Sequence, residues 1–222
     1  MTISEPQRDC PLCPRLVAFR DEARTAHKDW FNAPVPSFGD YGARLLIVGL
    51  APGLQGANRT GRPFTGDFAG DLLYATLRDL DLAMGDYGAR IDDGLTLKDC
   101  LISNAVRCVP PANKPTPDEI ATCRKFLSAQ VAAMPYLAVI LALGRIAHDS
   151  VLKVFDARLA AYPFSHGAVH HIGQLTLVDS YHCSRYNTNT GRLTAGMFLS
   201  AMATAKAFAQ SSKTASSVNS SP

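Results

Sequence analysis

Four short, nearly continuous apolar runs restrict this chain more than any other feature. They are residues 43–50 (ARLLIVGL), 100–106 (CLISNAV), 136–143 (YLAVILAL) and 174–180 (QLTLVDS). A strand that alternates apolar and polar residues has one wet face; a strand apolar throughout is covered on both, as in a parallel sheet. Helical patterns separate the runs, at 14–27, at 70–80 (GDLLYATLRDL), after Gly144 to about Phe155, and from about Thr190 to Ala207. Another helix opens at Thr116-Pro117-Asp118-Glu119. There Thr116 suits the N-cap, Pro117 the first helical position, and Glu119 completes a capping box. Strands alternating with helices predict an α/β fold, a three-layer α/β/α sandwich around a central, mainly parallel four-stranded sheet. The chain has 222 residues, 47% of them apolar and 18% charged, enough for one domain, expected over 1–209. Residues 210–222 are Ser-rich and poor in apolar groups, which predicts a disordered tail.

In sheets of this class a ligand sits beyond the carboxyl ends of the strands. Four polar or glycine-rich segments fall there: Gly49-Leu50-Ala51-Pro52-Gly53, Asn104, Gly144 and Tyr181-His182. They are expected to converge on one cleft. The net charge of +3 permits a nucleic-acid partner without arguing for one. No run approaches the roughly 20 apolar residues of a membrane span, and the N-terminus lacks a signal-type apolar core, so a cytoplasmic protein without a membrane partner is expected.

Six cysteines in such a protein point to metal ligation or chemistry before disulfides. Cys10 and Cys13 form a CxxC. Cys108 and Cys123 lie further on, with prolines and the capped helix between them. Spacing alone leaves zinc, an iron–sulfur cluster and redox or incidental thiols open. Cys100, at a strand start, reads as a buried thiol.

Residues 49–70 (GLAPGLQGANRTGRPFTGDFAG) hold six glycines and two prolines, the makings of a tight, pre-shaped loop. They contain neither GxxxxGK[ST] nor a clean GxGxxG, so a phosphate-cradling loop is the weaker reading. Residues 182–194 (HCSRYNTNTGRLT) place a His, then Ser, Arg, Asn and Thr, beyond a strand end, which suits contact with phosphates and base edges. Together these segments closely resemble the B-type (family-five) uracil-DNA glycosylases. The signature motifs of that family are GLAPG…GANRTGRPFTGD and HPSxxNxxTGRLT. Asn104-Ala105-Val106-Arg107-Cys108, the Pro-rich 110–117 segment and the cysteines at 10, 13, 108 and 123 are also similar to the family. The resemblance runs from about Cys10 to about Phe198. Three positions depart from it: Cys183 replaces the usual Pro, Tyr186 a common Gln, and Ala69 a frequent Ser. The first puts the rigidity of the loop in question.

The resemblance implies an enzyme that flips uracil out of DNA and hydrolyses its N-glycosidic bond, initiating base excision repair. Gly49, Leu50, Ala51, Pro52 and Gly53 would line the base pocket, and Phe64 would stack on the base; a core Phe is the alternative. Asn104 would pair with the uracil edge, or be a buried structural Asn. Asp67 would stabilise the cationic sugar and orient water, the competing reading being an exposed helix cap. His182 would hydrogen-bond the departing anion. Arg59, Arg62, Arg185 and Arg192 would meet phosphates, with Ser184 and Asn187 beside them, and Tyr186 would wedge into the duplex. Leu50 is apolar where related enzymes carry a polar residue, so tolerance for other deaminated bases such as hypoxanthine is expected. The cysteine set implies a 4Fe-4S cluster on Cys10, Cys13, Cys108 and Cys123, structural in role. A monomer is expected. A non-catalytic DNA-damage binder on the same fold and a zinc-dependent nucleotide-handling enzyme are the competing functions.

Overall fold

The structure, a computed structural model, describes residues 5–218, with side chains described to residue 212. In chain order the elements are α1 (Pro14–Ala26), β1 (Phe38–Gly39), β2 (Leu45–Gly49), α2 (Ala57–Thr60), α3 (Phe68–Asp79), β3 (Ala83–Met84), β4 (Thr96–Leu97) and β5 (Cys100–Asn104). They continue with α4 (Pro117–Ala132), β6 (Val139–Leu143), α5 (Arg145–Val154), β7 (Val169–Ile172), β8 (Leu175–Ser180), α6 (Arg185–Asn189) and α7 (Ala195–Val218). The four expected strands are β2, β5, β6 and β8. Each is buried at every residue, and they pair in parallel in the order β5-β2-β6-β8.

Why these strands need two covered faces follows from their pleat. Leu45 and Ile47 of β2, with Val139, Leu141 and Leu143 of β6, enter one core together with Leu73, Tyr74 and Leu77 of α3 and Phe198 and Met202 of α7. Leu46, Val48, Ile140 and Ala142 point the other way, onto Leu127 of α4 and Ala147, Val151 and Leu152 of α5. Successive side chains alternate between faces, so a helix layer on each side is required. The α4 cap forms as expected. Thr116 Oγ1 accepts from the Glu119 amide at 3.3 Å, and Glu119 Oε2 accepts from the Thr116 amide at 2.7 Å. Arg15 of α1 pairs with the same carboxylate at 2.7 Å, binding the segment after the CxxC to α4.

The sheet nevertheless has six strands, because β1 and β7 add antiparallel edges that the apolar pattern did not reveal. A small hairpin, β3 with β4, stands outside the sheet. The final helix, expected from about Thr190, begins instead at Ala195 as α7; a short α6 precedes it, and Gly191 takes a left-handed φ of 70° between the two. The boundary expected at 209/210 falls within α7, which continues to Val218, so residues 210–218 are helical rather than a disordered tail. Ala201, Met202, Ala205 and Ala209, at helical spacing, carry the covered face of α7 to Ala209. The rest of the tail expectation, 219–222, lies outside the described residues. Among the described residues no helix is long and apolar enough to cross a membrane.

Candidate active site

Strands β2 and β5 are paired so that Gly49 stands opposite Asn104 at their carboxyl ends. A Cβ on Gly49 would collide with Asn104 Oδ1 and with the ring of Phe64. The missing side chain is what lets these two groups meet. Asn104 is 3% exposed, and its Oδ1 is buried without a hydrogen-bond partner. A buried amide oxygen in that state costs free energy unless something else binds it, and its place at a strand end makes Asn104 a candidate ligand-binding group.

Phe64 sits in the left-handed region (φ 52°) within a loop held from several sides. Tyr74 Oη donates to Pro63 O at 2.7 Å, and Thr60 Oγ1 donates to Thr65 O at 3.0 Å. Asn58 of the same motif is structural: its Nδ2 donates to Asn32 Oδ1 at 2.8 Å. Asp67 ends the loop as N-cap of α3, with Oδ1 accepting from the Gly70 amide at 3.1 Å. Its other oxygen lies over the backbone of Gly53 and Gly56, where added Cβ atoms would crowd it. The capping and catalytic readings of Asp67 are therefore compatible, since one oxygen serves each.

His182 leaves β8 with its ring 5.8 Å from that of Phe64 and inclined by 28°. Asn187 Nδ2 donates to His182 O at 2.8 Å, and buried Cys183 donates its S–H to Ala69 O at 3.5 Å. Cys183 thus ties the loop to α3, a tether in place of a proline's stiffness. Phe64, Asp67, Asn104 and His182 line one hollow of about 30 Å³. Ala51, Gly53, Asp67, Ala69 and His182 also line a cleft of about 520 Å³, which makes the hollow its inner end. Leu50, Ser184, Arg185 and Tyr186 border that cleft, and Pro52 belongs to the hollow. Burial of the His182 imidazole pushes its pKa down to about 4, so it is neutral at pH 7.

The groups expected to meet DNA divide. Tyr186 is 72% exposed, and Arg185 lies over the Phe68 ring at 5.5 Å. Arg192 covers Tyr181 at 4.5 Å and, with Asn187, borders an adjoining cleft of about 390 Å³. Arg59 is exposed and donates to Gly66 O at 3.2 Å. Arg62 is a correction: it is fully buried, ion-paired with Asp93 at 2.6 Å, and cannot reach a phosphate. Asp93, beyond the recognised motif, gave no signal of this. Asn113 borders the large cleft and was missed; the Pro-rich run around it was the available clue.

Cys10, Cys13, Cys108 and Cys123 are all free thiols and line another hollow, walled by Leu16, Val106 and Phe126. The Arg107 amide donates to Cys123 Sγ at 3.3 Å. Burial pushes the Cys108 thiol up to about 12 and Cys123 up to about 11. Among the described residues, the group of His, Cys, Asp or Glu whose donor atoms lie mutually within 4.8 Å is His148, His170 and Asp179. Those atoms are engaged with one another, at 2.7 and 3.2 Å, and with Tyr162 O at 2.9 Å.

The family model described as the Uracil DNA glycosylase superfamily matches residues 36–206, a span that contains Gly49, Phe64, Asp67, Asn104 and His182. The chain belongs to the uracil-DNA glycosylase superfamily. It is 46% identical over 206 residues to a type-5 uracil-DNA glycosylase of Thermus thermophilus, covering 90% of this chain and 94% of the relative. It is 40% identical over 190 residues to a type-5 uracil-DNA glycosylase of Pyrobaculum aerophilum, covering 84% and 83%. A type-4 uracil-DNA glycosylase of Archaeoglobus fulgidus is 32% identical over 139 residues, covering 62% of each chain. In this member of the superfamily the imidazole beyond β8 is a neutral group. Because its folded pKa lies below the ordinary 6.5, the unfolded chain binds the proton first. Its contribution to stability is intact above about 6.5 and is lost as pH falls toward about 4. An NMR titration of His182 is expected to show a midpoint about 4; a midpoint near 6.5 would contradict the enclosure described here.

Proposed function

We propose that this chain is an enzyme that removes uracil, and other deaminated bases such as hypoxanthine, from DNA by hydrolysing the N-glycosidic bond, and so initiates base excision repair. The observation that carries the reading is that Asn104, whose buried Oδ1 has no hydrogen-bond partner, lines the same hollow as Phe64, Asp67 and His182. A base must leave the duplex to reach such a place, at a few kcal/mol of unstacking, least when mispaired. Its edge enters the hollow, its face lies on Phe64, and its sugar stays in the large cleft. Asn104 bonds the edge.

Breaking the C–N bond leaves positive charge on the sugar and negative charge on the base. The free oxygen of Asp67 faces the sugar side, stabilises that cation and orients the attacking water. Neutral His182 donates a ring N–H to the base oxygen as the anion forms, a role of the oxyanion-hole kind. Leu50 adds no polar group at the mouth, which lessens discrimination among bases. Tyr186 fills the gap in the stack, while Arg185, Arg192 and Arg59 meet phosphates. Ser184 caps α6, its Oγ accepting from the Asn187 amide at 3.4 Å, and presents this loop to DNA.

The four cysteines fit a 4Fe-4S cluster. Burial pushes the thiols of Cys13, Cys108 and Cys123 up, and these call for a cationic centre to become thiolates. A single tetrahedral zinc would draw the sulfurs to within about 3.8 Å of one another. Among the described residues no three cysteine sulfurs lie mutually within 4.8 Å; a four-iron core, like zinc, takes four thiolates, and the family resemblance favours the core. Bound there, the cluster would cross-link the N-terminal segment to the 108–123 loop and take no part in hydrolysis.

Base release from uracil-containing and hypoxanthine-containing oligonucleotides tests the reading. Wild-type protein is expected to release both bases. Asp67→Asn is expected to lose about 10²-fold or more of the excision rate while keeping DNA affinity. Affinity for damaged DNA without base release from wild type would favour a non-catalytic damage binder instead, and absence of hypoxanthine release alone would remove that part. For the cysteines, anaerobically purified protein is expected to be brown, with broad absorbance near ~400 nm that Cys108→Ser abolishes. A colourless protein carrying zinc would contradict the assignment.

A further inference from the structure

Arg62, buried rather than offered to DNA, shows how the loop carrying Phe64 and Asp67 is gripped from behind. Its guanidinium bonds both oxygens of Asp93, at 2.8 and 2.6 Å, and its Nε donates to Thr65 Oγ1 at 2.8 Å. Asp93 belongs to the connection between β3 and β4 and is fixed there by the Gly88 and Leu95 amides, each donating to it at 3.0 Å. A bidentate pair of this kind sets orientation as well as distance. It holds the β3–β4 connection against the loop, and that connection brings Tyr87. The Tyr87 ring stacks on Tyr74 at 4.6 Å and lies under the Arg62 guanidinium at 5.7 Å.

The Tyr87 hydroxyl then bridges the two backbone groups on either side of Thr65. It accepts from the Gly66 amide at 3.2 Å and donates to Phe64 O at 3.4 Å. Gly70 of α3 presses against the same point, for a Cβ there would collide with Phe64 O and stand 2.7 Å from Tyr87 Oη. Phe64, which keeps a left-handed φ of 52°, and Asp67 are separated by two residues, Thr65 and Gly66. A non-glycine residue stays in that conformation only where its surroundings over-determine it. We propose that Tyr87 is a positioning residue for base excision: its hydroxyl, anchored through Asp93 and Arg62, sets the place of the stacking ring of Phe64 relative to the Asp67 carboxylate. This inference rests on the glycosylase reading above and names a residue remote from the base, outside the motifs that carry the family resemblance.

Tyr87→Phe removes the hydroxyl while keeping the stacked ring, and so tests the bridge without emptying the core. Single-turnover excision of uracil is expected to fall about 10- to 100-fold, the scale of a small misplacement. Affinity for an oligonucleotide carrying a non-cleavable abasic analogue is expected to stay at the wild-type value. Asp93→Asn, which weakens the anchor but keeps the hydroxyl, is expected to give a smaller loss in the same direction. A merely structural Tyr87 would lower the urea midpoint and leave the rate of the folded enzyme unchanged; a Tyr87→Phe rate within twofold of wild type therefore overturns the proposal, as does a rate loss matched by lost affinity. Wild type run alongside separates the two readings. No uracil release from wild type removes the glycosylase reading and this one with it, whereas release by wild type and Tyr87→Phe alike removes this one alone.

Discussion

At the carboxyl ends of β2 and β5, a backbone without a side chain lets an amide and an aromatic ring share one spot. Gly49 faces Asn104 across the parallel ladder, and Phe64 arrives from the glycine-rich loop at the space a Gly49 side chain would fill. Everything proposed for the base depends on this approach. The ring supplies a flat face and the amide supplies an edge. Neither could be there if the strand ended in alanine. The parallel register matters equally, because a slip of one residue would turn Asn104 to the opposite face of the sheet.

Around that point the fold uses single residues for two purposes. Asp67 caps α3 with one oxygen and leaves the other over Gly53 and Gly56, facing the hollow. The cap holds the Asp67 side chain in one rotamer. Asn187 sits on the loop proposed to meet DNA and also holds the carbonyl of His182. Arg62 anchors the loop of Phe64 from its buried side. Preorganisation of this kind is what the proposed mechanism requires of a neutral imidazole and one carboxylate that act on developing charge.

Much of this was legible in the sequence. The four strands buried on both faces declared themselves as unbroken apolar runs, and the Thr116–Glu119 box marked a helix start. Strand ends are where such sheets bind ligands, and Phe64, Asp67, Asn104 and His182 do meet there. The edges were not legible. β1 has two residues, and β7 (VHHI) alternates exposed with half-buried residues, too short for its period to show. The burial of Arg62 depends on Asp93, 31 residues away, and a pairing at that distance leaves no local pattern. In sequence the two arginines of the loop look alike; only packing separates the exposed Arg59 from the buried Arg62. The cysteines were legible as a set of four. Their convergence on one hollow required α1 to dock on α4, which the Arg15–Glu119 pair secures.

Gly49→Ala tests the close approach most directly. The crowded atoms are the ends of two side chains, so the variant is expected to fold with a modestly lower urea midpoint. Its single-turnover release of uracil is expected to fall by about 10²-fold, because the methyl group displaces Asn104 and Phe64 from the hollow. Uracil release at the wild-type rate from a folded Gly49→Ala protein would contradict the account.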